Sequence, residues 1–144
     1  TTYGAGDDEA ALSGEFTQPG NNLKPAPGMY WMSVQYDVPT GKLTTYAFTP
    51  VTRVGLIGSF AGSAWGSDVE MTTTDGGVTY TAEVTLAAGD EYKVRFNNGW
   101  DFNLGDGGRT AVFDGANFKA AEAGTYVVTL TTQPGAPVIT AKLK

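Results

Sequence analysis

The stretch of residues 78–86, VTYTAEVTL, decides the class of fold that this sequence can adopt. Apolar residues alternate with polar ones along its whole length, from Val78 to Leu86. Because successive side chains of a strand point to opposite faces, this alternation places the apolar ones together on one face. The pattern predicts an antiparallel strand with one buried and one solvated face.

The next apolar segment, residues 91–96, reads EYKVRF and alternates in the same way. The side chains that we expect to point into the core are Tyr92, Val94 and Phe96. The side chains that we expect on the solvent face are Glu91, Lys93 and Arg95. Two such strands with turn residues between them favour an all-β fold.

Three further segments, residues 52–58, 124–130 and 137–143, have the composition of strands. Turn residues lie between the segments, as at residues 75–77 and 98–99. Gly and Thr each occur 20 times, which suits short strands joined by tight connections. The spacing predicts an antiparallel β-sandwich of seven to eight strands.

The composition excludes several classes of function. The net charge of −6 argues against a nucleic-acid partner and an anionic membrane surface, since both require a basic protein surface. The chain has no Cys and no His, so it cannot contain a Ser-His-Asp triad, a Cys nucleophile or a common zinc site. No apolar segment approaches the ~20 residues that span a bilayer. The N-terminus does not have the pattern of a signal peptide, so we expect this chain to be an excised part of a longer mature protein.

Two segments of the chain resemble each other: NNLKPAPGMYWMSV at residues 21–34 and ANFKAAEAGTYVVTL at residues 116–130. The matching pairs are Asn22 with Asn117, Lys24 with Lys119, Gly28 with Gly124, Tyr30 with Tyr126 and Val34 with Leu130. A Pro/Gly turn and a second strand follow each copy. The repeat predicts a module of about 95 residues that is complete over residues 50–144. Residues 1–49 are then the C-terminal strands of a preceding module or an N-terminal extension.

The order of short motifs along the second copy resembles that of starch- and glycogen-binding β-sandwich modules. In those modules a strand ends in a Gly-x-Phe turn before a Trp, and a Tyr-Lys-x-x-Phe strand precedes a Gly-Trp turn. The corresponding segments here are residues 58–60, Trp65, residues 92–96 and residues 99–100. The continuation through Asn117 and residues 123–126 is similar to the tandem C-terminal modules of SusE/SusF-type outer-membrane lipoproteins.

The resemblance implies an immunoglobulin-like β-sandwich that binds starch-like α-glucan polysaccharide without catalysis. It implies the extracellular face of the bacterial outer membrane as the location, with a lipid anchor outside this segment. The implied partners are polysaccharide, neighbouring modules of the same chain and other proteins of a surface glycan-uptake system. We expect no nucleic acid and no cofactor. The residues that the resemblance assigns to the sugar site are Trp65, Lys93, Trp100 and Asn117.

The chemistry of sugars adds two residues to this set. A sugar ring has an apolar C–H face, which needs a flat aromatic surface, and a rim of hydroxyls, which needs amides or a Lys. Trp100 with its neighbours Asn98 and Asn103 offers both kinds of group within a few residues. The sequence Asn97-Asn98-Gly99 is also a good hairpin turn in its own right, so a structural role for the Asn residues stays open.

Structural interpretations stay open for the other predicted site residues as well. Trp65 can be a core residue, Lys93 a solvated strand residue and Asn117 a backbone-capping residue. For the whole module, the main alternative is an immunoglobulin-like spacer of a multi-domain surface protein, with no ligand of its own. A third class is the accessory domain of a larger hydrolase, which would use the same kind of site.

The carboxylates do not form a recognisable catalytic or metal-binding set. Nothing in the sequence places Asp101 and Asp106 across a cleft, as a pair of glycosidase carboxylates requires. The same segment resembles a calcium loop, but Gly105 and Val112 stand where oxygen ligands are needed. We therefore expect neither hydrolysis nor a bound metal.

Overall fold

The computed structural model describes residues 2–144, and Thr1, the first residue of the predicted segment 1–49, lies outside the described residues. The chain folds into two compact units, of which the first ends at Val51 and the second runs from Thr52 to Lys144. All regular structure in residues 2–144 consists of β-strands in antiparallel sheets. No helix in this part of the chain is long and apolar enough to cross a membrane.

The first unit contains a three-stranded antiparallel sheet. Its strands are β1 (Ser13–Glu15), β2 (Tyr30–Asp37) and β3 (Lys42–Pro50), in the spatial order β1-β3-β2. β2 and β3 form a hairpin whose register shifts after Val34. Tyr46 of β3 is buried, and its ring centroid lies 5.2 Å from that of Phe16. Aromatic packing on one face of β3 therefore forms the core of this unit.

The second unit contains two antiparallel sheets. Its strands are β4 (Val54–Gly58), β5 (Val69–Met71), β6 (Thr79–Leu86), β7 (Glu91–Phe96), β8 (Asn103–Asp106), β9 (Ala111–Phe113), β10 (Phe118–Lys119), β11 (Gly124–Thr131) and β12 (Val138–Leu143). The larger sheet has the order β5-β4-β7-β8-β9, and β10 pairs with the start of β7. The smaller sheet has the order β12-β11-β6.

Apolar side chains from both sheets form the core of the second unit. The buried residues include Leu56, Val94 and Leu104 of the larger sheet and Leu86, Val128 and Leu130 of the smaller one. Burial of each large aliphatic side chain lowers the free energy of the folded state by about 1.5–3 kcal/mol relative to an exposed position. Because both sheets bury their side chains in this one core, they pack together as a sandwich. Thr72, just after β5, forms a bridge with Thr81 of β6 and links the sheets at one corner.

The all-β antiparallel architecture confirms the predicted class of fold, and β7 has the predicted bounds. The number of strands is higher than expected, because the second unit alone has nine instead of seven to eight. The additional strands include β5, β9 and β10, which have only two or three residues each. Such short segments cannot display a period of two, so the sequence pattern does not indicate them.

The predicted solvent face of β7 is wrong for Lys93 and Arg95. Both side chains are buried, with 7% and 8% of their surface exposed. β7 lies in the interior of the larger sheet, between β4 and β8, and Asp68 from the β4–β5 connection covers Arg95. We call the face of this sheet that carries Lys93 and Arg95 the outer face, since it is opposite the core residue Val94.

Candidate functional site

Residues 59–68, which connect β4 to β5, are held firmly against the end of β4. Phe60 and Ser63 of this connection are buried. The Ser63 Oγ accepts a hydrogen bond from the Gly58 N–H at 3.0 Å. The Trp65 N–H donates to the Gly58 carbonyl at 2.7 Å. These contacts fix the backbone of Trp65 beside the outer face.

The backbone at Trp65 is strained. Trp65 has a φ of 59° and Ala64 before it a φ of 45°, both in the left-handed region. Non-glycine residues avoid this region because Cβ crowds the neighbouring carbonyl, at a cost of about 1–2 kcal/mol each. Strain of this kind concentrates at functional sites, where it holds a side chain in a required direction.

A tight turn after β7 places Trp100 on the other side of the site. Asn97 and Asn98 have φ values of 55° and 54°, and the Gly99 N–H donates to the Phe96 carbonyl at 3.2 Å. Two left-handed residues closed by this hydrogen bond define a type I′ turn. The turn fixes the path of the chain into Trp100.

Trp65 and Trp100 come together into an aromatic pair. Their ring centroids lie 6.1 Å apart and their planes are inclined at 38°. Trp100 is 47% exposed, and Trp65 is partly exposed. The two indoles, from segments 35 positions apart in the sequence, therefore present one aromatic surface that is partly exposed to solvent. We call this surface the Trp pair.

Arg95 lies against the Trp pair on its protein side. Its Cζ is 4.9 Å from the centroid of the Trp100 ring, within cation–π range. Its Nε donates to both carboxylate oxygens of Asp68, at 2.8 and 3.0 Å. Gly55 is opposite Arg95 on β4, and a Cβ there would lie only 2.5 Å from Asp68 Oδ2. A glycine at this position therefore leaves the space that the Asp68 carboxylate occupies.

Lys93 lies two residues before Arg95 on the same face, opposite Ile57 of β4. Within residues 2–144, no ion pair reaches its amine. Among the side-chain nitrogen and oxygen atoms of this part of the chain, Asn103 Oδ1 alone is both inaccessible to solvent and without a hydrogen bond. The Lys93 Nζ, which makes no hydrogen bond there, therefore keeps some contact with solvent. A buried stem with an accessible amine is suited to donate hydrogen bonds to a ligand.

Asn103 lies deeper than a direct sugar contact requires, with 2% of its surface exposed. Its Nδ2 donates to the Trp100 carbonyl and to Asp114 Oδ1, each at 3.1 Å. Asn103 is opposite Arg95 in the β7–β8 pair, so it lies on the outer face. Its observed role is to hold the backbone of Trp100, and a direct contact with sugar stays a prediction.

The other two predicted site residues are both exposed. The Asn117 Nδ2 donates to Glu91 Oε2 at 3.1 Å. Glu91 lies on the same side of β7 as Lys93, so this hydrogen bond brings Asn117 to the edge of the outer face. Asn117 therefore belongs to the outer face, whereas no contact described in residues 2–144 joins Asn98 to the Trp pair.

Sequence reasoning missed Arg95 and Asp68. The alternation in β7 assigned Arg95 to solvent, and Asp68 lies in a connection without a periodic pattern. One available indication was the glycine at position 55 within an otherwise apolar strand, since a glycine inside a strand often marks a close approach by another group.

Most polar groups of the site are engaged within the protein. Among the described residues, no group of three or more Asp and Glu side chains is placed to hold a metal ion. Both oxygens of Asp68 accept hydrogen bonds from Arg95. The groups left for a ligand are an aromatic surface and the amine of Lys93.

Comparison with known proteins adds one structural similarity. No protein-family model matches the chain, and no curated protein matches it significantly. The chain is similar to the crystal structure of SusF from Bacteroides thetaiotaomicron, with a TM-score of 0.49 and 17% sequence identity. The match covers 98% of this chain and 35% of that chain, so the protein spans about a third of the length of SusF.

Proposed function

We propose that the second unit is a non-catalytic carbohydrate-binding module that holds an α-glucan at the surface of a bacterial cell. The observation that carries the proposal is the Trp pair, whose ring centroids lie 6.1 Å apart beside a sheet face that carries an accessible amine. Sugar C–H faces stack on indole rings and bury apolar area at roughly 25 cal/mol per Å². Because the backbones of Trp65 and Trp100 are already fixed, little conformational freedom is lost on binding.

The angle within the Trp pair favours a curved saccharide over a flat one. The ring planes are inclined at 38°, so a flat ribbon of β-1,4-linked sugars would stack fully on only one of them. Successive α-1,4-linked glucose units turn relative to each other and present two C–H faces at an angle. The resemblance to SusE/SusF-type modules supports the same ligand class, a location on the outer membrane and partners in glycan uptake.

Lys93 is the group that we expect to recognise hydroxyls. An ammonium donates up to three hydrogen bonds, and a charged donor makes stronger bonds than a neutral one. A site with two indoles and one amine should bind weakly, with a Kd of ~10 μM to mM, and tandem modules would add avidity.

The proposal is tested by Trp100→Ala, measured by retardation in gels that contain amylopectin and by calorimetry with maltoheptaose. A central Trp in a binding site contributes at least ~2 kcal/mol, so we expect the affinity to fall about 30-fold or more. The melting temperature should change little, since Trp100 is exposed and outside the core. Phe113→Ala is the matched control, because Phe113 is an exposed aromatic on β9 outside the Trp pair.

Two results would contradict the proposal. Normal binding by Trp100→Ala would remove the Trp pair from the site, and failure of the unaltered protein to bind any α-glucan would favour the spacer alternative. Sustained release of reducing ends from maltoheptaose, lost on mutation of a carboxylate, would contradict the non-catalytic assignment.

A further inference from the structure

We propose that Asp68 and Arg95 are positioning residues for the Trp pair. Asp68 fixes the Arg95 guanidinium, and the guanidinium fixes the angle of the Trp100 ring relative to Trp65. The use of this arrangement in binding rests on the proposed carbohydrate function, but the positioning itself is a property of the protein without ligand.

The first step is the contact between Asp68 and Arg95. Nε donates to both carboxylate oxygens, and Nη2 also donates to Oδ1, at 2.5 Å. Both side chains are buried, so water competes little with these hydrogen bonds. The planar, forked guanidinium is therefore held in one orientation, which a lysine ammonium at the same place could not reproduce.

The second step is the contact between Arg95 and Trp100. The backbone of Trp100 is held by the turn before it and by Asn103, so the remaining freedom lies in its two side-chain torsions. Trp100 is 47% exposed and has no core to confine its ring. The guanidinium, 4.9 Å from the ring centroid, covers one side of the indole and leaves the rest open.

The third step is that the ion pair is not required to hold the β4–β5 connection in place. Phe60 and Ser63 are buried, and hydrogen bonds from Trp65 and to Ser63 already attach the connection to Gly58. A buried ion pair is also a weak source of stability, since apolar residues of similar volume often replace it at no cost. The ion pair instead fixes the orientation of the Arg95 guanidinium that packs on the Trp100 ring.

The test compares Arg95→Lys with the neutral double variant Asp68→Asn/Arg95→Gln in the full chain. The readout without ligand is the exciton circular dichroism of the two coupled indoles, which depends on the distance and angle between Trp65 and Trp100. Trp65→Phe defines the signal without coupling. We expect the double variant to lose at least half of the coupling and Arg95→Lys to lose a large part of it, while both keep the wild-type strand content.

Arg53→Met is the matched control, because Arg53 also pairs with a carboxylate of the larger sheet, Glu70, but in an exposed contact of 3.4 Å. We expect it to keep the full coupling. In calorimetry with maltoheptaose, the double variant should bind about 10-fold more weakly than the control. If the wild type shows the coupling but binds no maltoheptaose, the proposed function fails while the positioning role stands.

A folded Arg95→Lys variant with unchanged coupling and affinity would overturn the proposal. So would a double variant that melts at a lower temperature but keeps the wild-type coupling, since the pair would then act only on stability. If the double variant does not fold, Arg95→Lys decides, because it retains a positive charge opposite Asp68 and removes only the planar fork.

Discussion

Lys93 combines a stem that is buried on the outer face with an amine that is in no ion pair within the described residues. Substitution by Met keeps an unbranched stem of similar length and removes only the charge and its donors. A hydrogen bond to a charged group contributes about 1.5–3 kcal/mol, so Lys93→Met should weaken maltoheptaose binding about 10- to 160-fold. The melting temperature should change little, because Met keeps a buried stem of similar length and the amine that is lost is accessible to solvent. Calorimetry and thermal melting measure the two effects.

The control for Lys93→Met is Lys142→Met, which removes an exposed lysine from β12 of the smaller sheet. Lys142→Met should leave the affinity for maltoheptaose and the melting temperature unchanged. Wild-type affinity in Lys93→Met would exclude the amine from the site, and a marked loss of stability would reveal a structural role for it.

The individual residues of the site were predictable to different degrees. Trp65 and Trp100 are large aromatics in polar, glycine-rich surroundings, which the order of motifs indicates. Asp68 was not predictable, because its partner Arg95 lies 27 positions further along the chain and their contact depends on how a nonperiodic connection folds. Asn103 was predicted as an amide of the sugar site, and in the structure it is buried and donates to the Trp100 carbonyl.

At the scale of the elements, β7 shows what an alternating pattern can establish. The pattern EYKVRF correctly separates the two faces of the strand, with Val94 towards the core and Lys93 and Arg95 on the opposite face. The pattern does not predict whether the outer face is buried, because that depends on contacts with segments that are distant in the sequence. An interior strand can therefore carry charged residues on a buried outer face: a neighbouring connection supplies the partner of Arg95, and Lys93 is buried without an ion pair in the described residues.

β7 also carries a group whose ionisation should affect stability at alkaline pH. Burial raises the pKa of Tyr92 above its ordinary value of 10.0, and the nearby Tyr126 and Asp106 raise it further. As the pH rises, the Tyr92 hydroxyl therefore ionises in the unfolded chain before it ionises in the folded protein. The stability that depends on neutral Tyr92 is complete below about pH 10 and is lost as the pH rises through the pKa of the folded state. Tyr92→Phe should therefore reduce the slope of unfolding free energy against pH above about pH 10, measured by urea denaturation.

Tyr36→Phe serves as the control for this effect, because Tyr36 of β2 is exposed. It should leave the slope as in the wild type. Equal slopes for Tyr92→Phe and the wild type would show that Tyr92 does not contribute to the alkaline loss of stability.

At the scale of the whole molecule, the two units share a detailed local structure. The Tyr30 hydroxyl donates to the Ala26 carbonyl at 2.9 Å, and the Tyr126 hydroxyl donates to the Glu122 carbonyl at 2.7 Å. In both cases the acceptor lies four residues before the Tyr, at the start of a strand that forms a hairpin with the next one. This arrangement resembles the tyrosine corner of immunoglobulin-like domains. The sequence match of Tyr30 with Tyr126 thus has a structural counterpart.

The matching strands differ in what covers them. Val128 and Leu130 of β11 are completely buried, because β11 pairs with both β12 and β6 and faces the core. Met32 and Val34, the matching residues of β2, are 47% and 48% exposed, and within residues 2–144 β2 pairs with β3 alone. The described residues of the first unit therefore include the final hairpin of a sandwich but not the strands that cover this hairpin in the second unit.

This difference predicts that the two units do not contribute equally to stability. The second unit has two sheets and a shared apolar core, so a protein of residues 50–144 should fold alone, with dispersed amide resonances and a melting temperature within about 4 °C of the full chain. In residues 1–49 the described part, residues 2–49, has three strands and an exposed apolar face, so this segment should not melt cooperatively by itself. If residues 50–144 are unfolded while the full chain melts in one cooperative step, the repeat does not define a domain boundary, and the site of Trp65, Lys93 and Trp100 depends on the entire chain.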